Sequence, residues 1–435
     1  MIVDLFAGGG GASRGIEAAL GRSPDVAVNH SPVALAIHAD NHPRTLHLAA
    51  DVWEVDPRET TRGRSVDLLW ASPDCTHHSR AKGGVPRDSG LRSLAWVVRD
   101  WARDVRPRVI IVENVPEFIS WGPLDEDGQP VSERKGETFQ QWVGALELLG
   151  YRVEWRVLTA YDYGAPTSRR RLFIVARGDG EAITWPTKTH GPGLLPYRTA
   201  ADCIDWTLPV PSIFDRKRPL ADATNRRIAA GLKRFVFEHP DPFVVPGGAP
   251  IMIQTSYGER EGQRPRYLDL HAPLGTVVGG GQKHALVVAW LAKHFGGVVG
   301  VPFDGRPLDT VTGTDHHALC TATIGGAPRP ELRAWITAYY GATHEAGQDL
   351  RDPLRTVVGA DRFALCVADV VDIGMRMLEP HELLAAQFGR FAADYSLAAA
   401  TTKAAKVKAI GNSVCPEVAE ALVRAQFPGA MRRAA

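Results

Sequence analysis

Cysteine is scarce in this chain, and what there is of it does not pair. Five cysteines (Cys75, Cys203, Cys320, Cys366 and Cys415) are scattered over 435 residues, and none forms a Cys-x-x-Cys pair. That argues against both a disulfide framework and a zinc ribbon. No apolar run approaches the roughly 20 residues of a membrane span. A surplus of one charge is missing too: 50 Lys and Arg stand against 49 Asp and Glu, a formal +1, so a polyanionic partner has to be met by a local basic surface. The amino-terminal sequence MIVDLFAGGGG lacks the basic region of a targeting peptide and runs straight into a strand-like segment, which points to a cytoplasmic protein. Hydrophobic residues at 44% and charged residues at 23% are ordinary globular values, and the length predicts two or three domains. With 43 Gly and 31 Pro, turns should be frequent.

The first 180 residues alternate short apolar runs with amphipathic stretches. Strands are expected at Ile2 to Phe6, Val66 to Ala71, Val109 to Glu113 and Leu172 to Ala176, with helices such as Ser93 to Val105 and Thr138 to Leu149 between them. This is the grammar of a doubly wound, mostly parallel α/β sheet, whose functional loops lie at the carboxyl ends of its strands. From about 181 to 370 no helical period is sustained, and a second, smaller, β-rich domain is expected. Residues 211–240 carry seven basic side chains against three acids, which a solvated face also explains. A unit recurs there: Pro273-Leu274-Gly-Thr276-Val277, Pro307-Leu308-Asp-Thr310-Val311 and Pro353-Leu354-Arg-Thr356-Val357. Each follows an aromatic-Gly step, and the unequal spacing is wrong for a stacked solenoid. Helical patterning returns at Glu379 to Phe388 and Pro416 to Ala425, so 371–435 is expected to rejoin 1–180 in one domain.

Four segments carry chemistry. The turn Phe6-Ala7-Gly8-Gly9-Gly10-Gly11 lets backbone N–H groups approach a ligand closely; a purely structural turn and a dinucleotide-phosphate loop compete with that reading. Cys75, in Ala71-Ser72-Pro73-Asp74-Cys75, follows a strand and has Arg80 and Lys82 nearby in sequence, a setting that favours thiolate. Cys203, Cys320 and Cys366 read instead as small core residues. A zinc cage from Cys75, His77 and His78 lacks a second ligand pair. Glu113 closes another strand, and strand alternation sends Arg169 and Arg171 of the Thr167-to-Val175 segment to one side.

The order of Phe-Ala-Gly-Gly, Pro-Asp-Cys, Glu113-Asn114-Val115, the three arginines 169–171 and Gly411-Asn412-Ser413-Val414 resembles the DNA (cytosine-5) methyltransferases of bacterial and phage type. The resemblance covers roughly 1–180 and 370–425. It implies S-adenosylmethionine as methyl donor, with S-adenosylhomocysteine as product and no metal, held by Phe6, Ala7, Gly8, Gly9, Gly10, Gly11, Asn29, His30, Asp51, Pro73, Leu94 and Asn412. It implies Cys75 as nucleophile, with Ser79 at the family spacing, Glu113 gripping the cytosine edge, and Arg169 and Arg171 as the family's two arginines. Residues 181–370 would be the target-recognition domain. Double-stranded DNA is the expected partner, with a cognate restriction endonuclease as a further one, a monomeric state and no membrane.

The sequence departs from the family at three points. Pro-Cys is interrupted by Asp74, Thr167 replaces the Gln of the arginine motif, and Asn29-His30 stands where an acid normally holds the ribose. The last departure keeps two alternatives open, action on RNA or transfer of a modified group. A catalytically inactive DNA-binding homologue is the third. Chemically the set fits. Thiolate addition at carbon 6 turns cytosine carbon 5 into a nucleophile, and the target base must be flipped out of the duplex to be reached.

Overall fold

The computed structural model of the chain describes residues 1–73, 94–126, 129–239, 249–255, 263–295, 297–300, 334–338, 348–349, 363–367 and 370–429. They fall into two compact units. One comprises Met1–Asp205, His271–Gln282 and the described part of Glu379–Ala435, and the other the described parts of Trp206–Leu270 and Lys283–Leu378. Sequence texture divides the chain at 180 and 370, whereas the units divide at 205 and 378, and 271–282 belongs to the first unit. The reason is local pairing: the N–H of Ser168 donates to Leu274 O at 2.8 Å, that of Leu274 to Pro166 O at 3.0 Å, and that of Ala200 to Ala272 O at 2.8 Å. The first Pro-Leu-x-Thr-Val segment is therefore a strap on the first unit.

The first unit is built on a seven-stranded sheet of β1 (Ile2–Leu5), β2 (Val26–Asn29), β3 (Leu46–Ala49), β4 (Leu68–Ala71), β5 (Val109–Asn114), β6 (Arg152–Thr159) and β7 (Arg170–Arg177), in the order β3-β2-β1-β4-β5-β7-β6. The first five run parallel, and β7 lies antiparallel to both neighbours. Every residue of β1, β4 and β5 is buried, as strands covered on both faces must be. Alternation sorts their side chains. Val3, Leu5, Leu69, Ile110 and Val112 join one core with Trp101 of α4 (Trp96–Val105) and Phe139 and Trp142 of α5 (Glu137–Leu148). Ile2, Leu68, Trp70 and Ile111 join the other, with Ile16 of α1 (Gly11–Leu20) and Leu422 of α9 (Pro416–Gln426). Gly15 allows α1 and α9 to approach, since a Cβ there would stand 2.5 Å from Pro416 O and 2.6 Å from Ala419 Cβ. Strand order reverses between β1 and β4, and ligands of such sheets bind outside the carboxyl ends at that point. The unit also holds α2 (Pro32–Asn41), α3 (Pro57–Thr61), α7 (Pro380–Phe388) and α8 (Lys403–Asn412).

The second unit is β-rich, with one helix the sequence reading missed: α6 (Asp222–Leu232), whose Ile228 and Leu232 are buried. It packs on antiparallel strands β8 (Ala249–Gln254), β9 (Tyr267–Leu268), β10 (His284–Phe295) and β15 (Val370–Met377). Further antiparallel pairing adds β11 (Gly297–Gly300) to β10 and joins β12 (Ala334–Ala338), β13 (Gln348–Asp349) and β14 (Phe363–Val367) in a three-stranded sheet. The strands flanking the first repeat, β8 and β10, pair with each other, as do those flanking the third, β12 and β14. The second and third Pro-Leu-x-Thr-Val segments lie outside the described residues.

Candidate active site

Three strand ends of the first unit carry the expected cofactor residues. After β1 the chain turns through Phe6 at φ 60°, Gly8 at 52° and Gly10 at 93°. A phenylalanine in left-handed conformation costs of order 1 kcal/mol or more, and such strain gathers at functional sites. The turn is pinned by Ala7 N–H donating to Val28 O and Gly10 N–H to Ala7 O, both at 3.0 Å. Below, there is no room for side chains: a Cβ on Gly10 would meet the Tyr395 hydroxyl at 2.7 Å, and one on Gly11 would meet Val414 O at 2.3 Å. Above, a Cβ on Gly8 would find nothing closer than Phe6 O at 3.8 Å. The close underside explains the glycines structurally, and the open upper side is what a ligand bound through backbone N–H groups requires. Gly9 lies against the end of α8, its Cβ position 3.6 Å from Ser413 Oγ.

Beneath the turn runs a buried polar chain. Ser13 Oγ donates to Asp4 Oδ2 at 2.6 Å and lies 2.9 Å from His38 Nε2, and His38 Nδ1 lies 2.8 Å from His47 Nε2. When Asp4 is ionised the Ser13 proton goes to the carboxylate, and His38 then donates through Nε2 and accepts at Nδ1 from His47. Asp4 is fully buried, its Oδ1 has no hydrogen-bond partner among the described residues, and desolvation pushes it up to about 7 against the lowering effect of Ser13. Burial pushes His38 well down, with the neighbouring His42 and His47 adding to it.

The rim of this region is open. Asn29 closes β2 with its amide oxygen turned back to accept from Ser31 N–H at 2.8 Å, and His30 is exposed. Asp51, past β3, is exposed and accepts from Trp53 N–H at 3.1 Å. Trp53 is 48% exposed. The sequence reading passed over it, although a tryptophan two residues beyond a candidate cofactor acid is a readable signal. Leu94 is half-buried against the apolar core.

At β5 and β7 the picture is closed. Arg171 Nε stands 3.0 Å from Glu113 Oε1, with both side chains nearly buried. Arg169, also buried, donates through Nη1 to Gly411 O at 3.0 Å and to Val277 O at 3.2 Å. It thereby ties the strap to the end of α8. Gly411 makes that junction close, since a Cβ there would be 2.2 Å from Gly279 N, and the exposed Asn412 faces Gly279. Arg169 and Arg171 line one small recess with Cys415, as alternation predicts, while Arg170 is exposed. The buried Asn114, quoted only as part of a motif at the sequence level, donates to Pro73 O at 3.2 Å and accepts from Val115 N–H at 2.8 Å. It fixes the chain where it leaves β4. Cys75, Ser79, Arg80, Lys82 and Ser93 lie outside the described residues. Burial pushes the Cys203 and Cys415 thiols up to about 12, so neither is a thiolate near neutral pH.

A reversed-order α/β sheet thus carries a strained glycine turn and a nearly buried acid–arginine pair at its carboxyl edge. Residues 1–191 match the profile of the C-5 cytosine-specific DNA methylases. The Type II methyltransferase M.AgeI of Thalassovita gelatinovora is 30% identical over 227 residues, 46% of this chain and 49% of that protein. M.AquIA of Picosynechococcus sp. is 29% identical over 48% of this chain and 88% of its own length. The chain spans about half the length of M.AgeI and of M1.HphI from Haemophilus parahaemolyticus, 49% and 51%. The fold matches a DNA modification methyltransferase encoded within an E. coli prophage at a TM-score of 0.50 with 17% identity, covering 98% of both chains. It matches the Entamoeba histolytica methyltransferase EhMeth at 0.50 with 13% identity, covering 98% and 97%. Among the described residues no helix is long and apolar enough to cross a membrane, and no group of His, Cys, Asp or Glu is arranged to hold a metal.

Proposed function

We propose that this chain transfers a methyl group from S-adenosylmethionine to carbon 5 of a flipped-out cytosine in double-stranded DNA. One observation carries the reading: the Glu113–Arg171 pair at the carboxyl end of β5, where Asn114 holds Pro73, two residues before Cys75. S-adenosylmethionine supplies an electrophilic sulfonium methyl. The glycine turn and Asn29 would hold its amino-acid and ribose parts, and Asp51 and Trp53 would hold its adenine. Asn412 braces the strap.

Cys75 adds to carbon 6 of the base and pushes electron density onto the ring, making carbon 5 the nucleophile. Arg171 is a fixed, desolvated cation beside the polar edge where that charge develops, and Glu113 accepts from the exocyclic amine and orients the base. Arg169 positions Arg171 and the strap without touching the base. Carbon 5 attacks the sulfonium methyl group, a base then takes the carbon 5 proton, and the electron pair left behind re-forms the ring double bond and expels Cys75 as thiolate. Residues 206–270 and 283–378, which include the basic stretch 211–240, provide target recognition.

The test is Cys75→Ser assayed by bisulfite mapping of plasmid DNA, with S-adenosylhomocysteine binding measured in parallel. Transfer should vanish while the ligand still binds; retained transfer refutes the assigned nucleophile. A second reading, a donor carrying a group other than methyl, is favoured by the neutral Asn29 and exposed His30 at the ribose position. Mass spectrometry of digested DNA and RNA from cells making the protein separates the two.

A further inference from the structure

Leu194 and Leu195 sit on a turn that the reaction above does not use. The strand register fixes its place in the first unit. Thr159 at the end of β6 pairs with Arg170 at the start of β7, beyond the pairing of Asn114 with Leu172. The connection 160–169 therefore lies past the carboxyl end of β5, on the side where Glu113 meets Arg171.

The segment 187–198 is built onto that connection. Thr189 and His190 both donate N–H to Asp162 O, at 2.9 and 3.1 Å, and Lys188 Nζ lies 3.0 Å from the Asp162 carboxylate. Tyr197 packs edge-on against Tyr161 with centroids 4.8 Å apart. Gly164 leaves space for the His190 ring, which is 2.8 Å from where a Cβ would stand. The tip closes on itself: Gly191 N–H donates to Leu195 O at 2.9 Å, Leu194 N–H to Gly191 O at 2.9 Å and Leu195 N–H to Thr189 O at 3.2 Å. Gly191 and Gly193 take φ of 138° and 75°, so the turn is held by backbone geometry that does not depend on its side chains.

Such a turn has no structural need for large apolar residues. It nevertheless presents two adjacent leucines, 52% and 60% exposed, whose burial against a partner is favourable. Residues 187–198 also contain Lys188, His190 and Arg198 and no acid, although Asp162 offsets part of that charge. An apolar tip with a basic flank suits a polyanion that exposes apolar faces. A duplex from which one nucleotide has been displaced is such a partner, because the flanking bases lose their stacking neighbour and apolar side chains can pack into the opened step.

We infer that Leu194 and Leu195 form an apolar wedge that packs against the DNA stack beside the displaced cytosine, with Lys188 and Arg198 toward the flanking phosphates. The inference rests on the reading of the chain as a cytosine methyltransferase. The experiment is an anisotropy titration of a fluorescent DNA duplex, intact or with one abasic site, in the presence of S-adenosylhomocysteine. The full chain is compared with Leu194→Ala/Leu195→Ala and with Lys188→Ala/Arg198→Ala. The leucine variant should bind roughly 10-fold more weakly, lose any preference for the abasic duplex and keep the wild-type salt slope. The basic variant should lower the salt slope by one to two phosphate contacts. Wild-type binding of S-adenosylhomocysteine and unchanged melting in both variants show that the fold is intact. Equal duplex affinity of the leucine variant and wild type overturns the wedge. A concentration-dependent solution mass that disappears in the leucine variant overturns it in favour of contact with a second copy. A wild-type chain that binds S-adenosylhomocysteine but no duplex, DNA or RNA, overturns the substrate reading itself.

Discussion

The two ends of the carboxyl edge in the first unit are built by opposite means. At β1 to β3 the site is made of backbone. The turn through Gly8 and Gly10 offers N–H groups over a buried Asp4–Ser13–His38 chain, and its rim residues His30, Asp51 and Trp53 are left in water. At β5 and β7 the site is made of side chains, Glu113, Asn114, Arg169 and Arg171, all buried or nearly so and already paired. On the proposed function, the difference follows from the task. A diffusible ligand has to enter and leave, so its contacts remain open. A reacting base is stabilised by charges held in place beforehand, which is most effective where water is excluded.

Breaking the closed end should have the largest effect. Glu113→Gln keeps the size of the side chain and removes its charge and its pairing with Arg171. We expect methyl transfer to fall on the order of 10³-fold, the scale of losing one fixed electrostatic partner, while S-adenosylhomocysteine affinity measured by calorimetry stays within twofold. A parallel loss of cofactor affinity would show that the two ends are not separable.

The junction of the strap with α8 comes next. Gly411→Ala puts a methyl group 2.2 Å from both Gly279 N and Val278 C. These are backbone atoms with nowhere to move, so a loss of about 3 kcal/mol is expected from overpacking, read as a lower denaturation midpoint. Arg169, which donates to Gly411 O and Val277 O, should then lose its hold on the strap.

The polar chain under the open end tests whether burial or pairing rules there. Desolvation raises Asp4 to about 7 and Glu417 to about 8. Each therefore adds stability that is complete below the ordinary carboxyl range and lost as pH rises through those values. His38 and His284 work in the opposite sense. Burial lowers both, the latter to about 4, and their contribution is complete above about 6.5 and lost as pH falls. Asp4→Asn keeps an acceptor for Ser13 and removes the charge. It should gain about 1.4 kcal/mol on wild type between pH 6 and 8.5, seen as a flatter melting-temperature profile. An unchanged alkaline slope would mean that Asp4 stays ionised.

How much of this was legible beforehand depended on where the determining contacts lie in sequence. The strands and the glycine turn declare themselves locally, through apolar runs and a cluster of four glycines, and the observed β1, β4 and β5 start and end within two residues of expectation. The pairing of Arg171 with Glu113 bridges 58 positions, and that of Arg169 with Gly411 spans 242; residue type hinted at a role but not at the partner. The strap at 271–282 falls within the Pro- and Gly-rich stretch without helical period that marks the second domain, whereas its hydrogen bonds run to residues 166–168 and 200. The helix α6 was hidden because its buried face carries only two large apolar side chains, Ile228 and Leu232, too few to show a helical period.

The smallest expected effect sharpens the comparison at its open end. Asp51 accepts from the backbone of Trp53, so the acid and the indole are held in one short turn past β3. That strand is next to β2, with Asn29 paired to Ala49, and β2 is next to β1, with Leu5 paired to Val28. The turn thus continues the row that begins at Phe6. A purine needs an acceptor for its amino group and a flat apolar surface for its face, and this turn supplies both in a side chain left 48% exposed. Trp53→Ala should weaken S-adenosylhomocysteine binding about 10-fold, and Trp53→Phe less than threefold, the range expected for one aromatic contact. Intrinsic fluorescence gives a second readout, since the emission change on adding the ligand should largely disappear in the phenylalanine variant. If both variants bind like wild type and quench like it, the indole stands in solvent for some other reason, and the open end is built of backbone and Asp51 alone.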